Sequence, residues 1–291
     1  MAIDKLQEKI RKMKCPIVVD FGVLPEHIPP YLLDACGSFS AAYKRFCVEL
    51  LEGLKESVPA VRFDMGFFSL LGIEGLQLLQ QVLSFAKECG YYVILDGISP
   101  LSHNDSNWAA QVLFDKDSVF QFDGCVIQAY IGSDALRPFV DRIQESGKDL
   151  FAVVRTGNRS ASEIQDLLTG SRLVHMAAAD IVNRFTDSNV GKCGYSHVAF
   201  VVAASSADSL RTLRNKYKQT FFLLDGADYP NANAKNCSLA FDKLGHGAIA
   251  CVGTTVTGAW MDTESPNEYV EQALQSVLKM KKNISRYISV L

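Results

Sequence analysis

The chain has 291 residues, 48% of them hydrophobic, and its 29 basic and 32 acidic residues give a net charge of −3. This near balance of charge argues against a nucleic-acid or anionic-membrane partner, and no apolar run reaches the roughly 20 residues of a membrane helix. The apolar content supports a large core. Length alone suggests two domains of about 150 residues, but one α/β barrel commonly uses ~250.

The N-terminal segment is predicted to be an amphipathic helix, because Ile3, Leu6, Ile10 and Met13 recur on one stripe. Acidic residues in its first turns and the lack of an apolar central run argue against a signal peptide.

The eight cysteines show no Cys-x-x-Cys spacing. Cys47, Cys89, Cys125 and Cys251 lie inside apolar stretches. We therefore expect buried, reduced thiols rather than a disulfide framework, and hence a cytoplasmic protein.

Eight short runs rich in β-branched and aromatic residues follow along the chain. They are nearly continuously apolar, which is typical of parallel strands buried on both faces. The predicted strands are Ile17–Phe21, Ala60–Asp64, Tyr92–Asp96, Gly124–Gln128, Leu150–Val154, Val198–Val202, Thr220–Leu224 and Ala248–Val252.

Segments with helical spacing lie between these runs. They include Ser40–Leu54, Ile73–Glu88, Ala135–Glu145, Ala161–Leu168, Ser206–Lys216 and Asn267–Lys281. Eight strands alternating with helices predict a (β/α)8 TIM barrel, formed as one domain over residues 1–291 and preceded by the N-terminal helix. A doubly wound open sheet is the alternative, but no Gly-x-Gly-x-x-Gly follows the first strand.

Barrel enzymes carry their sites at the C-terminal ends of the strands. The polar residues at or just beyond the predicted ends are Asp20, Arg62, Asp64, Asp96, Gln128, Arg155, Thr156, Asn158, Asp225, Asp228, Thr254 and Thr255. Converging carboxylates would suit Mg²⁺ or Ca²⁺, although solvated loop acids and one ion pair explain them more simply. The five histidines are scattered, which argues against zinc, and we predict neither a metal nor a cofactor.

Six stretches share their order and spacing with a known family. They are residues 58–68, 72–76, 130–134, 151–158, 193–196 and 220–223. These stretches resemble strands two, four, five, six and seven of the bacterial orotidine 5′-monophosphate decarboxylases, or the segments beside them. The likeness runs from the first helix to about residue 258, and the chain is identified as a member of that family.

The resemblance implies decarboxylation of a pyrimidine nucleotide without a cofactor, by an alternating Lys-Asp-Lys-Asp array. The family's third-strand motif, Asp-x-Lys-x-x-Asp, reads here as residues 96–101, Asp-Gly-Ile-Ser-Pro-Leu. Asp96 stands at the motif's first aspartate. Ile98 stands at the lysine position and has no proton to give, and Leu101 stands at the second aspartate. Arg62 stands at the array's other lysine, and the family's first-strand acid falls at Gly22, two residues after Asp20.

The family's phosphate site is also altered in this sequence. The loop after the seventh strand contains Asp225, Asp228 and Pro230 where the family has a glycine-rich segment. No Lys or Arg occurs from Ala248 to Ser265, where the family has an arginine. In addition, Gly157 replaces the serine of the family's Arg-Thr-Ser-Asn.

We therefore expect a pseudoenzyme that works by binding, either as a homodimer or as a heterodimer with an active relative, with an unidentified small-molecule ligand. Asp96 and Arg62 are interpreted as a residual buried ion pair. The alternative is an active lyase. It would be either an orotidine 5′-monophosphate decarboxylase that uses rerouted residues or a barrel with changed chemistry around Asp64, Asp96 and Asp228.

Overall fold

The computed structural model describes residues 1–290 and contains a closed barrel of eight parallel strands. The strands are β1 (Ile17–Asp20), β2 (Ala60–Asp64), β3 (Tyr92–Asp96), β4 (Gly124–Gln128), β5 (Asp149–Arg155), β6 (Val198–Ala203), β7 (Phe222–Asp225) and β8 (Ala248–Val252). Pairing of Ile17 with Ala250 closes β1 on β8. The predicted TIM barrel is confirmed, and the open-sheet alternative is wrong.

Helices surround the barrel and close its N-terminal end. They are α1 (Ala2–Met13), α2 (Pro30–Cys36), α3 (Phe39–Leu54), α4 (Met65–Leu70), α5 (Gly72–Glu88), α6 (His103–Leu113), α7 (Ser133–Val140), α8 (Ile143–Ser146), α9 (Val174–Asn183), α10 (Ala207–Lys216), α11 (Ala234–Ser238), α12 (Thr254–Thr257) and α13 (Tyr269–Ile284).

The core has two parts, because successive side chains of a strand point to opposite faces. One part fills the space between the barrel and the outer helices. The other lies inside the barrel, where Ile3, Leu6 and Ile10 of α1 pack against interior side chains such as Phe151 and Phe221. The predicted amphipathic helix is thus confirmed, and α1 covers the N-terminal face of the barrel.

Two predicted helices differ from the structure. Residues 161–168 do not form an α-helix: a 3₁₀-helix spans Arg159–Glu163, and a hairpin pairs Leu168–Thr169 with Arg172–Leu173. The apolar side chains of this segment stay largely exposed, so no packing holds a helix there. The helix that follows β5 is α9 instead, and the predicted helix 135–145 is divided into α7 and α8.

The cysteines are mostly internal. Cys47, Cys125 and Cys251 are buried as expected, whereas Cys89 is partly exposed at the end of α5, where its thiol faces Glu52. Among residues 1–290, no helix combines the length and the apolarity that crossing a membrane requires.

Candidate functional site

The ends of β1, β2, β3 and β7 place one arginine among three carboxylates. The Nη1 atom of Arg62 donates to Asp225 Oδ1 at 2.6 Å and lies 3.5 Å from Asp20 Oδ2. Its Nη2 atom donates to Asp96 Oδ2. The Arg62 side chain is only 13% exposed, so the pairing is shielded from water. We call these four residues the arginine–carboxylate cluster.

The charges of this cluster do not cancel, because one guanidinium group faces three carboxyl groups. Burial lowers the pKa of Arg62, but the surrounding acidic groups, led by Asp20 and Asp96, together outweigh burial and raise the pKa well above its usual value. Burial raises the pKa of Asp20 to about 6, and the Arg62 charge offsets only part of that rise. Asp20 therefore changes its charge near pH 6.

This shift predicts a pH dependence for Asp20→Asn. The folded-state pKa of about 6 lies above the ordinary value of 3.8, so the folded chain binds the Asp20 proton more tightly than the unfolded chain. Asp20 should therefore contribute a fall of up to about 3 kcal/mol to the free energy of unfolding as pH rises from about 4 to 7, and the variant lacks this contribution. Urea unfolding at pH 4.5 and 7.5 measures the difference, with the exposed Asp208→Asn as control. A variant–wild-type difference that is equal at both pH values would contradict the prediction.

Asp228 turns toward the first residues after β8. Its Oδ2 atom accepts from the backbone N–H groups of Gly253 at 2.9 Å and Thr255 at 3.2 Å. It also accepts from the hydroxyls of Thr255 at 3.1 Å and Thr254 at 3.4 Å. Backbone amides converging on one point are the kind of group that holds an anion. Here an internal carboxylate occupies that point.

The loop after β7 uses its amides within the chain. Ala227 N donates to Cys251 O at 2.8 Å, and Tyr229 N donates to Gly226 O at 3.1 Å. Pro230 has no N–H to offer. The Tyr229 ring lies over Gly226, where a Cβ would stand 2.6 Å from the ring. The amides of Ala227 and Tyr229 are therefore already bonded within the protein and are not free to bind an anion.

The cavity between these groups is small. It has a volume of about 90 Å³. Its lining residues are Asp20, Gly22, Asp225, Gly226, Asp228, Tyr229, Cys251, Gly253 and Thr254. At roughly 30 Å³ for each water, such a space holds about three water molecules, and small-molecule pockets measure ~300–1,000 Å³. This cavity is therefore smaller than a typical small-molecule site.

Two other strand-end residues lie outside this cavity. Asp64 caps the start of α4, since its Oδ1 atom accepts from the amides of Gly66 at 2.7 Å and Phe67 at 3.4 Å. Gln128 is exposed at the end of β4. Neither side chain takes part in the arginine–carboxylate cluster.

The residues after β5 form a separate network. Arg155 Nη2 pairs with Asp166 at 2.9 Å, and Thr156 Oγ1 donates to Asn158 Oδ1 at 2.6 Å. Gln165 Nε2 donates to Thr156 Oγ1 at 2.7 Å. Sequence reasoning did not foresee Asp166 or Gln165, because the segment that carries them was interpreted as a helix.

The two motif positions that follow β3 present no polar group. Ile98 is 8% exposed and packs in the core outside the barrel, whereas Leu101 is 87% exposed. Gly97, between Asp96 and Ile98, has φ +81°, and a Cβ there would stand 2.3 Å from Asp64 Oδ1. The backbone after Asp96 thus passes against the cap of α4, and only glycine permits that approach.

No protein-family model matches this chain. The orotidine 5′-phosphate decarboxylase of Clostridium novyi is 25% identical over 288 residues, covering 98% of this chain and 99% of that protein. That of Rhodopirellula baltica is 29% identical over 237 residues, covering 77% of each. The solved structure of Leishmania donovani OMP decarboxylase has a TM-score of 0.71 at 20% identity, covers 97% of this chain and 99% of that one, and shows the same fold. The resemblance drawn from the sequence is confirmed: this chain is a homologue of the bacterial orotidine 5′-phosphate decarboxylases.

Proposed function

We propose that this chain is a non-catalytic homologue of orotidine 5′-phosphate decarboxylase that acts by binding. The observation that carries this proposal is the position of Asp228, whose carboxylate accepts from both Gly253 N and Thr255 N beside a cavity of about 90 Å³. The family resemblance implies that a nucleotide phosphate is bound by the loops after strands seven and eight. In this chain those loops hold one of their own carboxylates.

The chemistry of the motif supports the same proposal. Ile98 has no proton to donate, and Leu101 carries no charge. Loss of a proton-transfer group alone costs about 10²–10⁴-fold in rate. Loss of the electrostatic groups beside it adds to that cost.

The charge at the mouth of the barrel, the C-terminal ends of its strands, supports the proposal of a non-catalytic protein as well. Asp225 and Asp228 both line the small cavity, and no basic residue occurs from Ala248 to Ser265. Like charges in contact near a protein surface cost on the order of 1–4 kcal/mol. A phosphate dianion is therefore repelled at this place.

We expect the wild type to bind uridine 5′-monophosphate, orotidine 5′-monophosphate and sulfate with dissociation constants weaker than millimolar in isothermal titration calorimetry. Crystals grown from sulfate should show no sulfate at Gly226–Asn231. Asp228→Ala should bind sulfate more tightly than the wild type, because it frees the amides of Gly253 and Thr255.

The matched control for this experiment is Asp208→Asn, which removes a carboxylate that is 97% exposed. Its affinity for sulfate should equal that of the wild type. An ordered sulfate held by the backbone of residues 226–231, or submillimolar nucleotide binding by the wild type, would reject the proposal in favour of an enzyme.

A lyase with changed chemistry is the second candidate function. It is favoured by Asp20, whose pKa burial raises to about 6 beside the buried charge of Arg62, since acids with shifted pKa values concentrate at active sites. The bonds of Asp64 to α4 and of Asp228 to the residues after β8 do not support a role for those two acids.

We further propose a homodimer that forms through an apolar surface of the segments following β2 and β3. Leu70, Ile73, Leu101 and Trp108 are each between 70% and 87% exposed, and the two segments that carry them follow the paired strands β2 and β3. Exposed apolar patches are typical of interfaces. Sedimentation equilibrium should give twice the 32.0 kDa chain mass, and Trp108→Glu should shift the equilibrium to monomer. If the wild type is monomeric at micromolar concentration, the homodimer is rejected, and a heterodimer with an active relative is the remaining form of the proposal.

A further inference from the structure

The ends of helices α1 and α13 form a strongly basic surface. Residues 9–14 and 279–286, which form these ends, contain no acidic residue. Lys281 Nζ donates to Met13 O at 2.9 Å, so the two helix ends lie together, beside the N-terminal ends of the strands. The basic residues of this surface, which we call the basic end, are Lys9, Arg11, Lys12, Lys14, Lys279, Lys281, Lys282 and Arg286.

The positive charge of the basic end is almost uncompensated. Only Lys12 of the eight basic side chains forms an ion pair within residues 1–290, with Glu8 at 2.6 Å. Both side chains of that pair are more than half exposed, and exposed ion pairs contribute little to stability. The macrodipoles of α1 and α13 favour basic residues in their last turns. The meeting of the two helix ends adds these charges together on one surface.

Acidic residues are concentrated at the opposite end of the barrel. The segments that follow β7, β8 and β1, residues 226–233, 253–268 and 21–38, contain no Lys or Arg. These three strands are neighbours in the barrel, so their segments form one continuous part of the mouth. Their acidic residues, which we call the acidic rim, are Glu26, Asp34, Asp228, Asp262, Glu264 and Glu268.

Helix stability does not account for the acidic rim. Asp34 lies in the last turn of α2, where the helix macrodipole disfavours a carboxylate. Glu26 and Asp262 lie in 3₁₀-helices of three and five residues. The negative charge of this surface therefore needs another explanation.

Helix α13 joins the two surfaces. It begins at Tyr269, directly after Glu268, and ends at Ile284 within the basic end. Its 16 residues span about 24 Å at 1.5 Å per residue. It packs against α3 and α11, the helices that follow β1 and β7. The acidic rim and the basic end thus lie on one side of the barrel at its opposite ends, and a copy shifted along the barrel axis brings one surface over the other.

Both surfaces also carry apolar side chains. Leu24, Tyr229 and Met261, in the segments of the acidic rim, are between 41% and 52% exposed. Leu278 and Tyr287 at the basic end are 42% and 52% exposed. Protein interfaces combine an apolar centre with a polar periphery, so these surfaces fit a protein partner better than a small ion.

We propose that the basic end binds the acidic rim of a second copy of this chain, so that copies stack head to tail along the barrel axis. Opposite charges on the two surfaces attract, whereas pairing of like surfaces is repulsive. Because the two contacting surfaces differ, each contact leaves a free surface at either end and rows of copies can extend. The contact uses other residues than the proposed homodimer and does not depend on the loss of decarboxylase activity.

Sedimentation velocity over a range of concentrations tests the proposal. In 10 mM sodium chloride the average mass of the wild type should rise continuously with concentration. In 1 M sodium chloride association should be roughly tenfold weaker or more, because the screening length falls from about 30 Å to about 3 Å. A homodimer alone would level off at twice the chain mass. Trp108→Glu, which should remove the homodimer, should keep the salt-dependent rise.

Charge reversal separates the two surfaces. A base variant carries Arg11→Glu, Lys14→Glu and Lys282→Glu, and a rim variant carries Glu26→Lys, Asp34→Lys and Asp262→Lys. All six side chains are exposed in the wild type. Each variant alone should lose the salt-dependent rise. An equal mixture should form one-to-one pairs in 10 mM salt, because each variant keeps the surface that the other has lost.

The matched control for the base variant carries Lys116→Glu, Arg159→Glu and Arg184→Glu. It changes the net charge by the same amount at exposed positions outside both surfaces, and it should associate as the wild type does. Thermal unfolding checks that all variants fold.

Three outcomes would overturn the proposal. They are a wild type whose mass does not rise beyond a dimer in 10 mM salt, a rise that persists in the base variant, and a mixture that forms no pairs. If in the first case polyaspartate binds the wild type but not the base variant, the basic end belongs to a different acidic partner. Nucleotide or sulfate binding at the mouth would change none of these results.

Discussion

Purified protein should release carbon dioxide from orotidine 5′-monophosphate no faster than the uncatalysed background. The family resemblance implies that Ile98 stands at the position of the proton donor and that Asp225 and Asp228 stand in the loop that would hold the phosphate. Because remote binding energy drives this kind of chemistry, the two losses act together. A radiochemical assay with carboxyl-labelled substrate measures the rate.

Restoring the motif residues should not restore the activity. In Ile98→Lys the new ammonium would enter the core between barrel and helices, where Ile98 is 8% exposed. Burial there would disfavour its charged form. In Leu101→Asp the new carboxylate would lie in solvent. The double variant should therefore stay at background. Turnover by the wild type that is lost in Asp96→Asn would contradict the whole interpretation.

The largest effect on stability is expected from Arg62→Met. Its removal leaves Asp20, Asp96 and Asp225 close together without their shared cation, and removal of one partner from a buried ion pair costs about 3–5 kcal/mol. We expect the free energy of unfolding to fall by that amount in urea at pH 7.5. The loss should be smaller at pH 5, where protonation of Asp20 relieves part of the repulsion.

The matched control is Arg45→Met on the outer face of α3. Arg45 pairs with Glu49 at 2.7 Å, but its side chain is 47% exposed, and exposed ion pairs contribute roughly 0–1 kcal/mol. A loss of under 1 kcal/mol in Arg62→Met would show that the three carboxylates are solvated or protonated in the folded chain.

The strands could be predicted because buried parallel strands leave a direct mark in the sequence. Each is a continuous apolar run, and the predicted β2, β3, β4 and β8 have the observed bounds. The segment after β5 could not be predicted in this way. Its apolar residues have helical spacing, but whether a helix forms depends on whether the barrel surface receives that face.

The sequence did not predict which partners the side chains at the strand ends would bind. Asp64, Asp96 and Asp228 all lie at or just after strand ends, yet the first caps α4, the second pairs with Arg62 and the third binds the residues after β8. The turn that each chain segment makes after its strand decides which partner is reached, and that turn is set by tertiary packing. The sequence also did not predict the hydrogen bonds that join Tyr92 and His197 to Asp149. These residues are far apart in sequence, and they lie at the N-terminal ends of the strands, opposite the ends where barrel enzymes carry their sites.

The bonds of Asp228 to the amides of Gly253 and Thr255 affect how strongly free anions in the cell can compete for those amides. A tethered carboxylate faces these amides at an effective concentration in the millimolar range or above, whereas a free anion arrives at its own, variable concentration. If the carboxylate stays docked for about 99% of the time, the apparent affinity of any external anion for these amides falls about a hundredfold. The surface at the C-terminal end of the barrel is then independent of the supply of phosphate and nucleotides, and the partner protein that we propose would meet the same surface at any concentration of them.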